Sequence, residues 1–417
     1  GNEGRMRAHD LSVWLVLCSA AAAPAAPAQV RPGIEVLIAD SSHLIRGRRL
    51  GLLSNQTGVD RSGRRDVDAL IAAGFLVAAL FGPEHGFVGR EDRPGLPDAT
   101  DSATGLPIYS LYGGSAAAAA AALARIDVLL IDLQDVGARY YTYPATTASL
   151  LRAAARNHVR VLVLDRPDPV GGVLVQGNVR DSIGDPDREF VGFLPVPMRH
   201  GMTLGELARL ENDRLALHAD LTVIPASGWR RDLAYDSTGL PWIKPSPNLP
   251  DLESAFHYPG TCLFEGTNLS VGRGTPFAFQ VIGAPWLDAD RVRRELRNGE
   301  AGRGKGKGLS GVAVDTVTFT PEHPTDGKFG GVVVHGLRFR VTDRMTYDPT
   351  HLAVALLVAL RHVAPGNFQF GERFDQLAAG PALRTAVLAG RAPSAIWRGW
   401  SRALKRFRAT RTKYLLY

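Results

Sequence analysis

Two short segments hold most of what this chain offers to chemistry. FEGTNLSVGRGT, from Phe264 to Thr275, carries a carboxylate (Glu265), an amide (Asn268), a guanidinium (Arg273), two threonines and three glycines. FGPEHGFVG, from Phe81 to Gly89, sets Glu84 and His85 between Pro83 and glycines. Neither segment has the apolar content of a core element, and glycine lets backbone come close to a ligand. Two carboxyl groups flanking a glycosidic bond, one as acid and the other as base or nucleophile, are the usual equipment for cleaving it. Glu84 and Glu265 are therefore the candidate catalytic pair, with His85 beside the first. The rival chemistry is a metal centre built from Glu84, His85 and Asp132 or Asp135. Against it, the eleven histidines include no H-x-H, no H-E-x-x-H and no pair at helical spacing. No metal or other cofactor is expected.

These residues need a scaffold, and the first half of the chain spells one. RRLGLLSNQTG, FLVAALFGPEHG, IDVLLIDLQDVG and VRVLVLDRPDPVGG are apolar runs ending in polar turn residues. Between them lie DVDALIAAG, SAAAAAAALAR and PATTASLLRAAARNH, which read as helices, the last with Pro144 at its start. Short apolar strands separated by helices predict a parallel sheet covered on both faces. All four polar clusters then fall at the carboxyl ends of strands, the edge where open α/β sheets bind ligands. They supply candidate substrate contacts: Asn55 and Gln56, then Asp135, Arg139 and Tyr141. Tyr140, Tyr141 and Tyr143 read as sugar-stacking or pocket-closing rings, or as core. Adjacent Asp165 and Arg166 read as an internal ion pair or as substrate contacts. No G-x-G-x-x-G follows the first strand, which excludes a dinucleotide site. GMTLG at Gly201–Gly205 mimics a nucleophile elbow, but Thr203 and Glu206 fit a helix capping box better.

A second unit is expected from residue 215, giving domains at 29–214 and 215–417. LTVIPASGW opens it as a strand, and PWIKPSPNLPDL follows as an irregular stretch carrying Asn248. VAVDTVTFTP and VVVHGLRFRVTD alternate like half-exposed antiparallel strands, and HLAVALLVALRHV reads as a helix. The fold class is thus α/β, a parallel-sheet domain with a second, smaller α+β domain.

Composition narrows the function. The 417 residues are 45% hydrophobic and 21% charged, with a net charge of +7. The arginines are scattered among alanines without interleaved aromatics, which argues against nucleic acid. LSVWLVLCSAAAAP (Leu11–Pro24), followed by Ala26-Pro27-Ala28, reads as a signal peptide cleaved near Ala28. The run is too short and too rich in alanine and proline to span a bilayer. A secreted or periplasmic protein is expected, with no stable membrane insertion. Cys262 is then the one remaining cysteine and reads as a small core residue.

The motifs SNQTG, FGPEHGF, IDLQDVGARYYTY, LDRP, RHGMT, PSPN, YPGTCLFEGTN, GRGT, VTDR and KYLLY occur in this order over nearly the whole chain after residue 28. In them the chain resembles the DUF1343 family, the exo-β-N-acetylmuramidases of glycoside hydrolase family 171. The resemblance implies a Rossmann-like domain joined to a smaller α/β domain, with the active cleft between them. It implies removal of N-acetylmuramic acid (MurNAc) from non-reducing ends of peptidoglycan fragments such as MurNAc-GlcNAc. It also implies Glu84 as the leading catalytic carboxyl with His85 beside it, and Glu265, Asn268 and Arg273 facing them. Three departures stand out: Pro276-Phe277 directly after GRGT, Asp168 where Asn is usual, and GRGKGKG as a local insertion. The lactyl carboxylate of muramic acid calls for a cation, with Arg273 or Arg139 as the expected partner. Two other readings compete: a metal-dependent peptidoglycan amidase or deacetylase, and a non-catalytic wall-binding protein.

Overall fold

The computed structural model describes residues 29–93, 95–298 and 309–417. The expected leader (1–28) and the GRGKGKG segment (302–308) lie outside the described residues.

The first eight strands are β1 Arg49–Ser54, β2 Leu76–Gly82, β3 Ala99–Thr100, β4 Pro107–Ser110, β5 Val128–Asp132, β6 Arg160–Leu164, β7 Gln176–Val179 and β8 Pro197–Arg199. They are followed by β9 Leu221–Ile224, β10 Val281–Ala284, β11 Val312–Phe319 and β12 Val334–Val341. Seven of them form one sheet in the order β3-β4-β2-β1-β5-β6-β9. Every pairing in it is parallel except the short antiparallel edge of β3 on β4. The strand order turns between β1 and β5, and that switch point opens a crevice at their carboxyl ends.

One expected boundary moves. LTVI is not the first strand of a second unit: it is β9, paired parallel to β6 from Val161↔Leu221 to Leu164↔Ile224. The helix Leu204–Arg214 is the crossover that feeds it. The alternation of strand and helix therefore continues one step past residue 214, and the sheet domain with it.

The two faces of the sheet have separate cores. Leu50, Leu52, Val77, Leu80, Val128, Leu130, Leu162 and Leu164 pack beneath Ile34, Leu37, Val67 and Leu70. The other face, with Leu53, Ala79, Phe81, Leu129, Ile131, Val161 and Val163, packs against Leu123, Leu151 and Ala208 of the opposite helices. A bulge between Leu50↔Val77 and Gly51↔Ala79 inserts one residue into β2. It is why Val77 and Leu80 share a face, and it sets the phase with which β2 delivers Phe81 inward and the GPEHG turn to the sheet edge.

The smaller unit has an antiparallel sheet, β10-β12-β11, with the helices Leu252–Thr261, Ala289–Asn298 and Pro349–Val363 packed around it. The half-exposed alternation expected for β11 and β12 is present. One hydrophobic cluster runs from the large sheet through Ala138, Tyr140, Tyr141 and Tyr143 to Tyr258, Leu263 and Phe264. The two units are packed as one body.

The capping box forms as expected: Glu206 N–H donates to Thr203 Oγ1 at 3.3 Å, and Thr203 N–H donates to Glu206 Oε2 at 3.1 Å. The expected Asp165–Arg166 pair does not form. Asp165 accepts from the Thr203 hydroxyl (2.6 Å), Gly205 N–H (2.9 Å) and the terminal Tyr417 hydroxyl (2.8 Å). Arg166 reaches across to buried Asp132 at 2.9 Å and to the Val59 carbonyl at 2.8 Å. A carboxyl with no cation in reach takes hydroxyl and amide donors, and the lone guanidinium goes to the neighbouring strand.

Asp168 gives a pH test of this interior. Burial pushes its carboxyl up to about 8, repulsion from Asp135 adds to the shift, and the Arg199 charge offsets part of it. Its ordinary value is 3.8, so folded and unfolded chains both hold the proton in strong acid. As pH rises from there towards the folded value, the unfolded chain loses the proton first and stability is lost. Asp168→Asn, which cannot ionise, is expected to be less sensitive. Its unfolding free energy relative to wild type should climb between pH 4 and pH 8 by on the order of a few kcal/mol. Parallel urea-unfolding profiles for the two proteins across that range would contradict the assignment.

Candidate active site

The GPEHG turn begins where β2 ends. Gly86 N–H closes it onto the Pro83 carbonyl at 3.0 Å. His85 sits at φ +70°, a left-handed backbone that costs a non-glycine residue about 1 kcal/mol or more. Its Nδ1 donates to the Glu91 carbonyl at 2.7 Å and lies 3.6 Å from Asp92 Oδ1. With the hydrogen held on Nδ1, Nε2 of the neutral ring is an acceptor. Glu84 Oε2 accepts from the Thr142 hydroxyl at 2.5 Å. Glu84 has no ion-pair partner among the described residues.

The facing wall comes from the smaller unit. The helix Leu252–Thr261 runs into a 3-10 turn, Cys262–Gly266, that carries Glu265. Glu265 Oε1 receives Arg273 Nε at 2.7 Å and Nη2 at 2.5 Å. Cys262 Sγ lies 3.5 Å from Glu265 Oε2, and burial holds the thiol well above its ordinary range. Cys262 is thus buried as expected, yet it also borders the cleft.

Arg273 continues past Glu265. Its Nη1 reaches Asp92 Oδ2 and Thr325 Oγ1, each at 3.2 Å. Asp92 Oδ2 also accepts from Asn248 Nδ2 at 2.6 Å. Burial opposes charge on both partners, but the contacts outweigh it. Asp92 is held below its ordinary value by bonds from Thr325 and Asn248 and by the Arg273 charge, while Glu265 and Asp92 keep Arg273 more firmly protonated than usual.

Both walls line one cavity, with Tyr141, Tyr258 and Phe279 among its apolar surfaces. Tyr141 stands edge-on to Tyr143 at 4.7 Å and to Tyr258 at 6.2 Å. Its buried hydroxyl makes no hydrogen bond of standard geometry among the described residues. A larger hollow lies around Arg31, Glu35, Asp60 and Arg61. Its charges are spent on each other in the pairs Arg31–Asp40, Arg61–Glu35 and Arg64–Asp60.

Of the residues singled out by sequence, Glu84, His85, Tyr140, Tyr141, Asn248, Cys262, Glu265 and Arg273 line this cavity. Five others serve the framework instead. Asn55 donates to the Tyr143 hydroxyl at 2.6 Å, which in turn donates to the Pro245 carbonyl at 2.7 Å. Gln56 donates to the Lys244 carbonyl at 2.6 Å. Asp135 accepts from Gly137 N–H at 2.9 Å, and burial pushes its carboxyl up to about 7. Arg139 is buried and donates to the carbonyls of Asn178 (2.7 Å), Val196 (3.2 Å) and Leu377 (2.9 Å). Asn268 donates to the Asn367 carbonyl at 2.7 Å and accepts from Gln369 N–H at 3.0 Å. The cause is common to them: buried loop backbone has no ladder partner, and polar side chains must satisfy it. Tyr143 is likewise a tie, to Pro245, and Tyr140 borders the cavity while its hydroxyl donates to the Pro259 carbonyl at 3.1 Å. The rival metal set is not assembled: Asp132 pairs with Arg166, and no group of three or more His, Cys, Asp or Glu gathers for a metal among the described residues.

Sequence reading missed Asp92, Thr142, Tyr258, Phe279 and Arg373, all of which line the cavity. Asp92 had a usable signal, since it follows GPEHG within the same glycine-bounded loop. Arg373, in GERF, reads as an ordinary solvated charge.

Fold and site together define a two-unit α/β protein whose shared cleft is lined by the carboxyl groups of Glu84, Asp92 and Glu265. Residues 50–253 match the family described as exo-beta-N-acetylmuramidase NamZ, N-terminal, and residues 256–417 match its C-terminal counterpart. The chain belongs to this family. It is 38% identical over 394 residues to the peptidoglycan beta-N-acetylmuramidase NamZ of Bacillus subtilis (strain 168), covering 93% of this chain and 92% of that protein. Two crystal structures of DUF1343 family proteins from Bacteroides fragilis NCTC 9343 share the fold. One superposes with a TM-score of 0.82 at 30% identity, covering 94% of this chain and 99% of that one. The other has a TM-score of 0.74 at 32% identity, covering 93% and 99%.

The framework role of Asn55 is measurable. Asn55→Ala and Tyr143→Phe should each lower unfolding free energy by about 1–3 kcal/mol. The double variant should lose less than the sum, by at least about 0.5 kcal/mol. Additive losses would place Asn55 outside this chain of bonds.

Proposed function

We propose that this chain is an exo-acting β-N-acetylmuramidase, a glycoside hydrolase that removes non-reducing terminal MurNAc from peptidoglycan fragments such as MurNAc-GlcNAc. Family membership and the similarity to the Bacillus subtilis protein support the reading. The observation that carries it is the placement of Glu84 and Glu265 on one cavity, in different electrostatic settings.

Glu84, with no ion pair among the described residues and held by the Thr142 hydroxyl, is the group that exchanges a proton with the glycosidic oxygen. Glu265, gripped by Arg273, is fixed in place to meet positive charge developing at the anomeric carbon. His85 Nε2 offers an acceptor to a substrate hydroxyl. Tyr141, Tyr258 and Phe279 give the sugar ring flat apolar faces. Arg273 acts by holding Glu265 and Asp92, since its donors are already spent on them.

A chromogenic β-MurNAc glycoside should be hydrolysed, and its β-GlcNAc analogue should not. Glu84→Gln should lose about 10²–10⁴-fold in turnover while still binding MurNAc. Arg273→Ala should lose about 10²-fold through misplaced Glu265, with Arg273→Lys between it and wild type. Retained turnover in Glu84→Gln would falsify the catalytic assignment. Activity abolished by EDTA and directed at peptide or acetyl groups would favour the amidase or deacetylase reading.

We further propose export to the periplasm or cell exterior, on the apolar run Leu11–Pro24 and the Ala26-Pro27-Ala28 site. N-terminal sequencing of the mature chain should then begin near Gln29, and an intact N-terminus on active protein from the cytoplasm would refute export.

A further inference from the structure

The cleft is short of positive charge for the substrate it is proposed to take. Glu84, Asp92 and Glu265 line it, whereas muramic acid brings a carboxylate of its own on the lactyl ether. Two guanidinium groups line the cavity, Arg273 and Arg373. Arg273 is committed to Glu265, Asp92 and Thr325. The nearby Lys328 ammonium is spent on backbone carbonyls, among them Glu265 (3.1 Å), Thr267 (2.8 Å) and Leu269 (3.0 Å). Arg139 is buried among carbonyls away from the cavity. Arg373 alone of these is exposed, and it makes no ion pair or side-chain hydrogen bond among the described residues. Its charge and that of Glu84 both act on Tyr112, so it stands within electrostatic reach of the Glu84 wall.

The chain holds this arginine in place with some care. Phe370 bridges to Thr267, and Gly371 N–H donates to the Gly266 carbonyl at 2.8 Å. Gly266 packs so closely that a Cβ there would lie 2.5 Å from Phe374 Cα. Asn268 clamps the same loop at Asn367 and Gln369. The segment 367–374 is thereby pinned to the turn that carries Glu265, and Arg373 is presented to the cleft from a fixed base.

We propose that Arg373 is the specificity residue that pairs with the lactyl carboxylate of the muramyl substrate, with Asn268 as the residue that positions its loop. This rests on the muramidase reading above. A guanidinium matches a carboxylate with two parallel bonds, which an ammonium cannot copy.

The test compares a chromogenic β-MurNAc glycoside with its lactyl methyl ester, the same sugar without the charge. Wild type should favour the free acid by about 10–100-fold in kcat/KM. Arg373→Ala should lose that preference through a raised KM on the acid, with ester turnover within about two-fold of wild type. Arg373→Lys should keep part of the preference. Because Arg373 is exposed, unchanged thermal midpoints are expected and serve as the folding control. Equal losses on acid and ester, or an unchanged KM on the acid, would overturn the assignment while leaving the muramidase reading intact. A wild-type protein inactive on both muramyl glycosides would instead overturn the muramidase reading and this inference with it.

Discussion

The bridge made by Arg273 turns two walls into one site. Its guanidinium joins Glu265, on a turn of the smaller unit, to Asp92, on the loop that follows GPEHG. Asn248 ties the same aspartate to the irregular segment between the units. All three charged groups are largely shielded from water, with side-chain exposures of 19% for Arg273, 19% for Asp92 and 13% for Glu265. Removing one member of such a set strands the others, at a cost of about 3–5 kcal/mol for a fully buried pair. The energy therefore favours a single geometry, and a glycosidase needs its carboxyl groups fixed to within a fraction of an ångström.

The ion bridge works because the units beneath it cannot slide. The ARYYTY segment passes through the joint, with Tyr140 bonded to Pro259 and Tyr143 bonded to Asn55 and Pro245. Tyr141, between them, reaches the cavity together with Tyr140. One segment thus ties the sheet edge, the proline-rich connection and the helix Leu252–Thr261 together while contributing a wall of the site. At the far end of the chain, Tyr417 closes onto Asp165 and onto Ala226 N–H. The terminal motif is part of the sheet domain's structure rather than a tail.

The sequence discloses the scaffold well where the physics is local. Apolar runs flanked by helix formers mark the strands, Thr203 and Glu206 mark a helix start, and polar residues at strand ends mark the sheet edge. Glu84 and Glu265 stand out because each lies in a glycine-rich segment, although Phe81, Phe264, Leu269 and Val271 of those same segments are buried in the core. What sequence does not disclose is allegiance. Asn55, Gln56, Asp135, Arg139 and Asn268 look the same as ligand-binding residues until the loops fold, because the polar groups that satisfy buried loop groups are the same kinds that bind sugars. The converse holds for Arg373. Nothing in GERF distinguishes it from a solvated arginine until Phe370 and Gly371 are pinned against Thr267 and Gly266. The boundary near 215 failed for a related reason: LTVI is a short run, and only its pairing with β6 shows which sheet it extends.

The measurement that bears most directly on this account is a crystal structure of Glu84→Gln soaked with MurNAc-GlcNAc. The account predicts the muramyl ring between residue 84 and Glu265, its glycosidic oxygen within hydrogen-bond distance of residue 84, and Arg273 still bridging Glu265 and Asp92. A disaccharide seated outside this cavity, or one that draws Arg273 away from Glu265 to bind it, would contradict the claim that the bridge builds the catalytic site.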